Sequence, residues 1–102
     1  MKYDKLVRDR IPEIIKNKGK TPVTHIAKEK EYWQKLLDKL KEEVDEFHKD
    51  DSKEEFADIL EVIEAIGHYK KYDKKEILEI KKFKQAKRGG FKKKIILEQV
   101  KG

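Results

Sequence analysis

The sequence contains no cysteine, one tryptophan, two prolines and five glycines in 102 residues. Without cysteine there is neither a disulfide framework nor a thiolate metal site. No apolar run approaches the roughly 18 residues that a membrane span needs. The opening residues, MKYDKLVRDR, lack the apolar stretch of a signal peptide. The expectation is therefore a soluble, cytoplasmic protein with no membrane partner. Repeats and flexible linkers are also missing, so residues 1–102 read as one domain. Only 36% of the residues are hydrophobic, which permits a modest core. A domain this small leaves much of its surface exposed, and oligomerisation is a common remedy.

Charge is what the chain has in excess. Lys and Arg number 27 against 21 Asp and Glu, a net of +6. That balance suits an anionic partner, either nucleic acid or a phosphorylated small molecule. A lysine-rich solvated surface accounts for most of the individual lysines equally well.

Hydrophobic periodicity predicts a mainly all-α fold. A short helix is expected over 10–18, with Pro12 near its start and Gly19 just past its end. Trp33, Leu36, Leu37, Leu40, Val44 and Phe47 mark a long helix over 29–49. After a tight break at 50–52, a second long helix is expected over about 53–71, carrying Phe56, Ile59, Leu60, Ile63 and Ile66. A third runs from about 74 to 87 and stops at Gly89-Gly90. Residues 22–27 alternate and are partly β-branched, and the tail FKKKIILEQV supplies a second such stretch over 94–99. Both read as short strands that pair with each other.

Four acids stand out. On the first long helix the apolar stripe centres near Leu40 and Val44. Glu43 lies about 70° from that centre and Glu46 about 130°, on one flank, while Glu42 points away. On the second long helix Glu55 and Asp58 fall inside a wide apolar arc, where a carboxylate needs a cation or hydrogen bonds. The positions 43 with 58, and 46 with 55, both sum to 101. In an antiparallel hairpin turning near 50–51, each pair therefore lies level. Four convergent carboxylates repel unless neutralised, and an all-oxygen set suits Mg²⁺ or Mn²⁺. Taken singly each acid has a structural explanation. Ser52-Lys53-Glu54-Glu55 fits a capping box, and Lys39 with Glu43 is an ordinary helical ion pair. A di-iron bundle requires Glu-x-x-His on two helices, and His25, His48 and His68 supply no such motif.

The segments EEVDE (42–46) and EFAD (55–58) resemble the EExxE…ExxD signature of the MazG-like all-α NTP pyrophosphatases. YDKLVRDRIPEII (3–15) and KRGGF (87–91) resemble a small phosphoribosyl-ATP pyrophosphohydrolase-like branch of that superfamily, so the likeness spans nearly the whole chain. It implies a helical fold working as a homodimer or higher homo-oligomer. It implies Mg²⁺-dependent cleavage between the α- and β-phosphates, giving a nucleoside monophosphate and pyrophosphate, in a nucleotide-pool role or on a phosphoribosyl-ATP-like substrate. Glu43, Glu46, Glu55 and Asp58 carry over as metal ligands, with Glu42 behind them. The two halves of the motif are separated only by residues 47–54, shorter than is common in the superfamily.

Such chemistry asks the protein for positioning and charge. Glu43 and Glu46 are the candidates for handling the proton of the attacking water, Glu46 first because it sits furthest from the stripe. Lys5, Arg8, Arg10, Lys87 and Arg88 are the candidate phosphate ligands, since Arg grips phosphate in a fork. Tyr32, Trp33 and Phe91 are candidates for stacking on a base, although Trp33 also lies on the core stripe. The rival reading is a basic nucleic-acid-binding helical module without catalysis, supported by the +6 charge and Lys92-Lys93-Lys94. It is the weaker one, because the basic residues are interleaved with acids and no binding motif is present.

Overall fold

A computed structural model describes residues 3–102. It is all-α, with helices α1 (Ile11–Asn17), α2 (Glu29–Lys49), α3 (Lys53–Tyr69) and α4 (Lys74–Arg88). The chain divides into two units, Met1–Lys71 and Tyr72–Gly102.

In the first unit, α1 begins with Pro12 in its first turn and closes on Gly19, whose φ is 79°. The Gly19 amide donates to the Lys16 carbonyl at 2.9 Å and the Lys20 amide to the Ile15 carbonyl at 3.3 Å. These two bonds form a Schellman motif, and only a residue comfortable at positive φ suits that position. The long helices are better supported by packing than by caps. Lys28 offers α2 no side-chain cap, but Glu29 and Glu31 in the first turn and His48 and Lys49 in the last complement the helix dipole. At the start of α3 the Ser52 hydroxyl accepts from the Glu55 amide at 3.3 Å. The chain leaves α3 through Lys71, which takes a left-handed φ of 58°.

α2 and α3 pack as an antiparallel hairpin. Its core is small: Leu36 is 1% exposed and Val62 8%. Aromatic contacts clasp both ends. Phe47 and Phe56 meet beside the turn, with centroids 6.0 Å apart. At the open end Trp33 stacks on Tyr69 at 5.4 Å, Tyr32 meets the same ring edge-on at 5.3 Å, and the Tyr69 hydroxyl donates to the Glu29 carbonyl. Trp33 is thus a packing residue of the hairpin.

The second unit holds α4 and the segment that follows it. Asp73 caps α4 by accepting from the Lys75 amide at 3.2 Å, and Gly89, with φ 83°, ends it. Ile77, Leu78, Ile80 and Phe83 are all at least 42% exposed.

The expected pairing of strands 22–27 and 94–99 is corrected, since no strand is present among the described residues. Val23 and Ile26 are 97% and 94% exposed, and Ile95, Ile96 and Leu97 are nearly as open. Alternation alone does not make a strand. Without a sheet to join, a short β-branched run has nothing to bury its apolar side chains against.

Leu36 anchors the hairpin, so Leu36→Ala is expected to cost about 2–5 kcal/mol. Ser52→Ala, which removes one cap, should cost about 1 kcal/mol. Urea unfolding followed by circular dichroism measures both. Equal losses would mean that the α2–α3 core contributes less than its burial indicates.

Candidate metal centre

The hairpin brings three of the four singled-out acids together. One carboxylate oxygen from each of Glu43, Glu55 and Asp58 lies within 4.8 Å of the others. Glu43 comes from α2 and the other two from α3, level with one another in the register expected from their spacing. Glu43 is buried at 9% exposure, and Glu55 and Asp58 are half-buried. Glu46 is exposed and falls outside this group, although its charge still acts on Glu55. Partial burial, and then the charges of Asp58, Glu43, Glu46 and Asp50, push the Glu55 carboxyl above its ordinary value of 4.5. The capping reading does not account for that carboxylate. Ser52 uses the Glu55 backbone amide, which leaves the side chain to face Glu43 and Asp58.

Basic groups border the cluster. The Arg8 guanidinium donates to Asp58 Oδ1 at 2.8 Å and lies 3.9 Å from Glu61. Lys39 Nζ sits 3.4 Å from both Glu42 Oε2 and Glu43 Oε1. Lys5 donates to Glu42 Oε1 at 3.0 Å. Residues 3–10 are therefore laid along the acidic side of the hairpin, fastened also by Lys35 Nζ donating to the Asp4 carbonyl at 2.6 Å. Partial desolvation works against ionising Glu42. The hydrogen bond from Lys5 and the charges of Lys39 and Lys5 outweigh it and hold the group below 4.5.

The position of Glu42 needs correcting. It does not point away from the packed side but bridges Lys5 and Lys39, half-buried. The line of α2 that faces α3 runs through Leu36 and Glu43, not through Leu40 and Val44, and Val44 is 38% exposed. The centre of the apolar stripe thus misjudges the packing direction by about 70°.

Of the expected phosphate ligands, Lys5 and Arg8 border the acids. Arg10 instead pairs with Glu13 on α1, at 3.2 and 3.4 Å. Lys87 and Arg88 belong to the second unit, where Lys87 lies over the Phe83 ring. His25 pairs with Glu31 at 2.9 Å. Lys39 is the residue whose role the sequence understated. Its i,i+3 and i,i+4 spacing to Glu42 and Glu43 was the available signal, and burial of Glu43 makes the pairing matter.

A protein of Mycolicibacterium smegmatis (strain ATCC 700084 / mc(2)155), described as uncharacterized, is 49% identical over 49 residues. That alignment covers 48% of this chain, which spans about half the length of that relative. No family model matches the chain, and no solved structure matches it. Among the described residues, no helix is long and apolar enough to cross a membrane.

Two isosteric substitutions should move metal-free stability in opposite directions. Glu42, held low, stabilises the fold above pH 4.5 and loses that contribution as pH falls through its lowered value. Glu55, held high, opposes folding when ionised at neutral pH, and the penalty disappears below 4.5. At pH 7 in EDTA, Glu42→Gln should lower the melting temperature and Glu55→Gln should raise it. The gain from Glu55→Gln should vanish by about pH 4. A loss of stability in both variants at pH 7 would show that Glu55 is held by favourable partners rather than by repulsion.

Proposed function

We propose that this chain is a Mg²⁺-dependent nucleoside triphosphate pyrophosphohydrolase of the MazG-like kind, with Mn²⁺ an acceptable substitute. The observation that supports this reading most is the convergence of Glu43, Glu55 and Asp58 from two helices. Two of the three lie in an otherwise apolar arc, and Arg8 and Lys39 only partly neutralise them. A hard divalent cation fits such a set, because carboxylate oxygens are its preferred donors. When bound, the cation neutralises phosphate charge and lowers the pKa of a coordinated water.

The side chains then divide the work. Glu43, Glu55 and Asp58 hold the cation. Glu46, exposed on the same flank of α2, is the group free to take the proton of the attacking water, with Glu43 the alternative. Arg8 has a guanidinium fork beside Asp58, suited to a phosphate oxygen. Lys5 stands one step further out, on Glu42. The same reading leaves the base and sugar of the nucleotide open.

A panel of NTPs and dNTPs with Mg²⁺, read by pyrophosphate release, tests the activity. Asp58→Asn and Glu43→Gln should each lower the rate at least about 100-fold while the far-UV circular dichroism stays unchanged. Mg²⁺ should raise the wild-type melting temperature more than that of either variant, since a ligand of the native state stabilises by mass action. Full activity in both variants, or no pyrophosphate from any nucleotide, defeats the proposal.

One observation favours a second reading, a basic nucleic-acid-binding module. The cations are spread along the chain, but the net charge is not. Residues 72–102 hold eleven Lys and Arg against four Asp and Glu, a net of +7, whereas residues 1–71 hold sixteen against seventeen. Dispersed lysines on an exposed helix give only weak, non-specific contact, about 10⁻⁴–10⁻⁶ M at physiological salt. Sub-micromolar binding to a defined duplex under those conditions, without pyrophosphate release, selects this reading over the first.

A further inference from the structure

Arg8 and Lys39 both neutralise the carboxylate cluster, but the fold holds them in different ways. Lys39 is built into α2, one turn before Glu42 and Glu43. Its Nζ lies 3.4 Å from an oxygen of each, and its side chain is only 17% exposed. Arg8 comes from outside the hairpin, on the irregular segment that precedes α1. Its side chain is 56% exposed, and it reaches the hairpin at 2.8 Å from Asp58 Oδ1 and 3.9 Å from Glu61 Oε1. An exposed pair of this kind contributes little to stability, so the guanidinium gives it up at small cost. The segment does not depend on that pair to stay in place. Lys5 on Glu42 at 3.0 Å and Lys35 on the Asp4 carbonyl at 2.6 Å fasten it independently.

We propose, on the cation reading of Glu43, Glu55 and Asp58, that Arg8 is an exchangeable counter-ion of Asp58, released when a divalent cation and a polyphosphate arrive together. A divalent cation among the three carboxylates stands beside the guanidinium, and like charges repel. With the cation alone, Arg8 loses its close partner and gains none. A polyphosphate alone meets the negative charge of the carboxylates. When both are present, phosphate oxygens accept the Arg8 fork, and Asp58 is left to the cation. Each ligand then removes the obstacle to the other, and a coupling of this kind is reciprocal. Arg8 thus makes the site select the metal–polyphosphate complex over the free ion. Lys39, shielded and tied to its own helix, stays with Glu42 and Glu43 throughout. Because Lys5 and Lys35 keep the segment fastened, Arg8 changes partner by moving its side chain while its backbone remains beside the cluster.

Titration of the full chain with Mg²⁺ alone, and with the 1:1 complex of Mg²⁺ and inorganic tripolyphosphate, gives two apparent affinities when read by melting temperature. Arg8→Gln should move them in opposite directions. Mg²⁺ alone should bind about 5-fold tighter, because its competitor is gone, and the complex about 10-fold weaker, because the fork is gone. Arg8→Lys keeps the charge without the fork, so it should bind Mg²⁺ alone as the wild type does and still lose affinity for the complex. Lys16→Gln, an exposed position on α1 with the same change in net charge, should alter neither affinity. If Arg8→Gln weakens both, Arg8 supports the folded site. If it weakens the complex alone, Arg8 is a fixed phosphate ligand. Either result, or no change in both, overturns the exchange while leaving the cation reading intact. A wild type that binds neither probe defeats the cation reading itself, and the exchange with it.

Discussion

Everything proposed for this protein depends on the register in which α2 lies against α3. That register is fixed at three levels: Phe47 against Phe56 at the turn, Leu36 and Val62 between the helices, and Trp33 with Tyr32 around Tyr69 at the open end. The aromatic contacts join positions whose numbers sum close to 101, the relation that also sets Glu43 level with Asp58. A slip of one residue would rotate a whole helix by about 100° against its partner. Glu43 would leave the carboxylate group, and the exposed apolar set would turn out of line. The aromatic clasps stand at the two ends, where leverage against such a slip is greatest.

The same register forces carboxylates into proximity, and the chain manages the repulsion unevenly. Glu42 receives two lysines and is held low. Glu43 shares one of them at 12% side-chain exposure. Asp58 has Arg8, an exposed pair that solvent screens. Glu55 has no basic partner among the described ion pairs, and its carboxyl is pushed up. A purely structural cluster would be expected to shed the one charge it leaves without a cation, and glutamine would fill the same volume. Under the proposed reading, a cation entering from solvent would relieve that repulsion.

Helix existence was legible in the sequence because it follows from local periodicity. The apolar positions of 29–49 outline α2 with the bounds the structure shows, and α4 extends one residue beyond its expected end. α3 stops at Tyr69 rather than near 71, because Lys71 turns left-handed, which no pattern of apolar residues records. The approach of Glu43 to Asp58 was also legible from their spacing about the turn, whereas Glu46, expected level with Glu55, falls outside the group. Two things were not. The ion pair of Arg8 with Asp58 joins residues fifty apart, and nothing local marks it. The direction in which α2 packs was misjudged because the stripe was centred on all its apolar residues, while only part of that arc faces α3.

That misjudgement is informative about the molecule. A helix buried on one side only has an apolar stripe centred on its contact. On α2 the stripe extends about 100° past the contact, through Leu37 and Val44, and on α3 it extends equally past Val62, through Ile63, Phe56 and Leu60. Both excesses run in the same rotational sense, so antiparallel packing stacks them on one face and leaves the acids on the other. Random surface hydrophobics would scatter around both helices and need no explanation. Here the excess lies on one side of both helices at once. It also separates the two faces of the hairpin: one carries the exposed apolar side chains, while the other carries the carboxylates, bordered by Lys5 and Arg8 of the segment before α1.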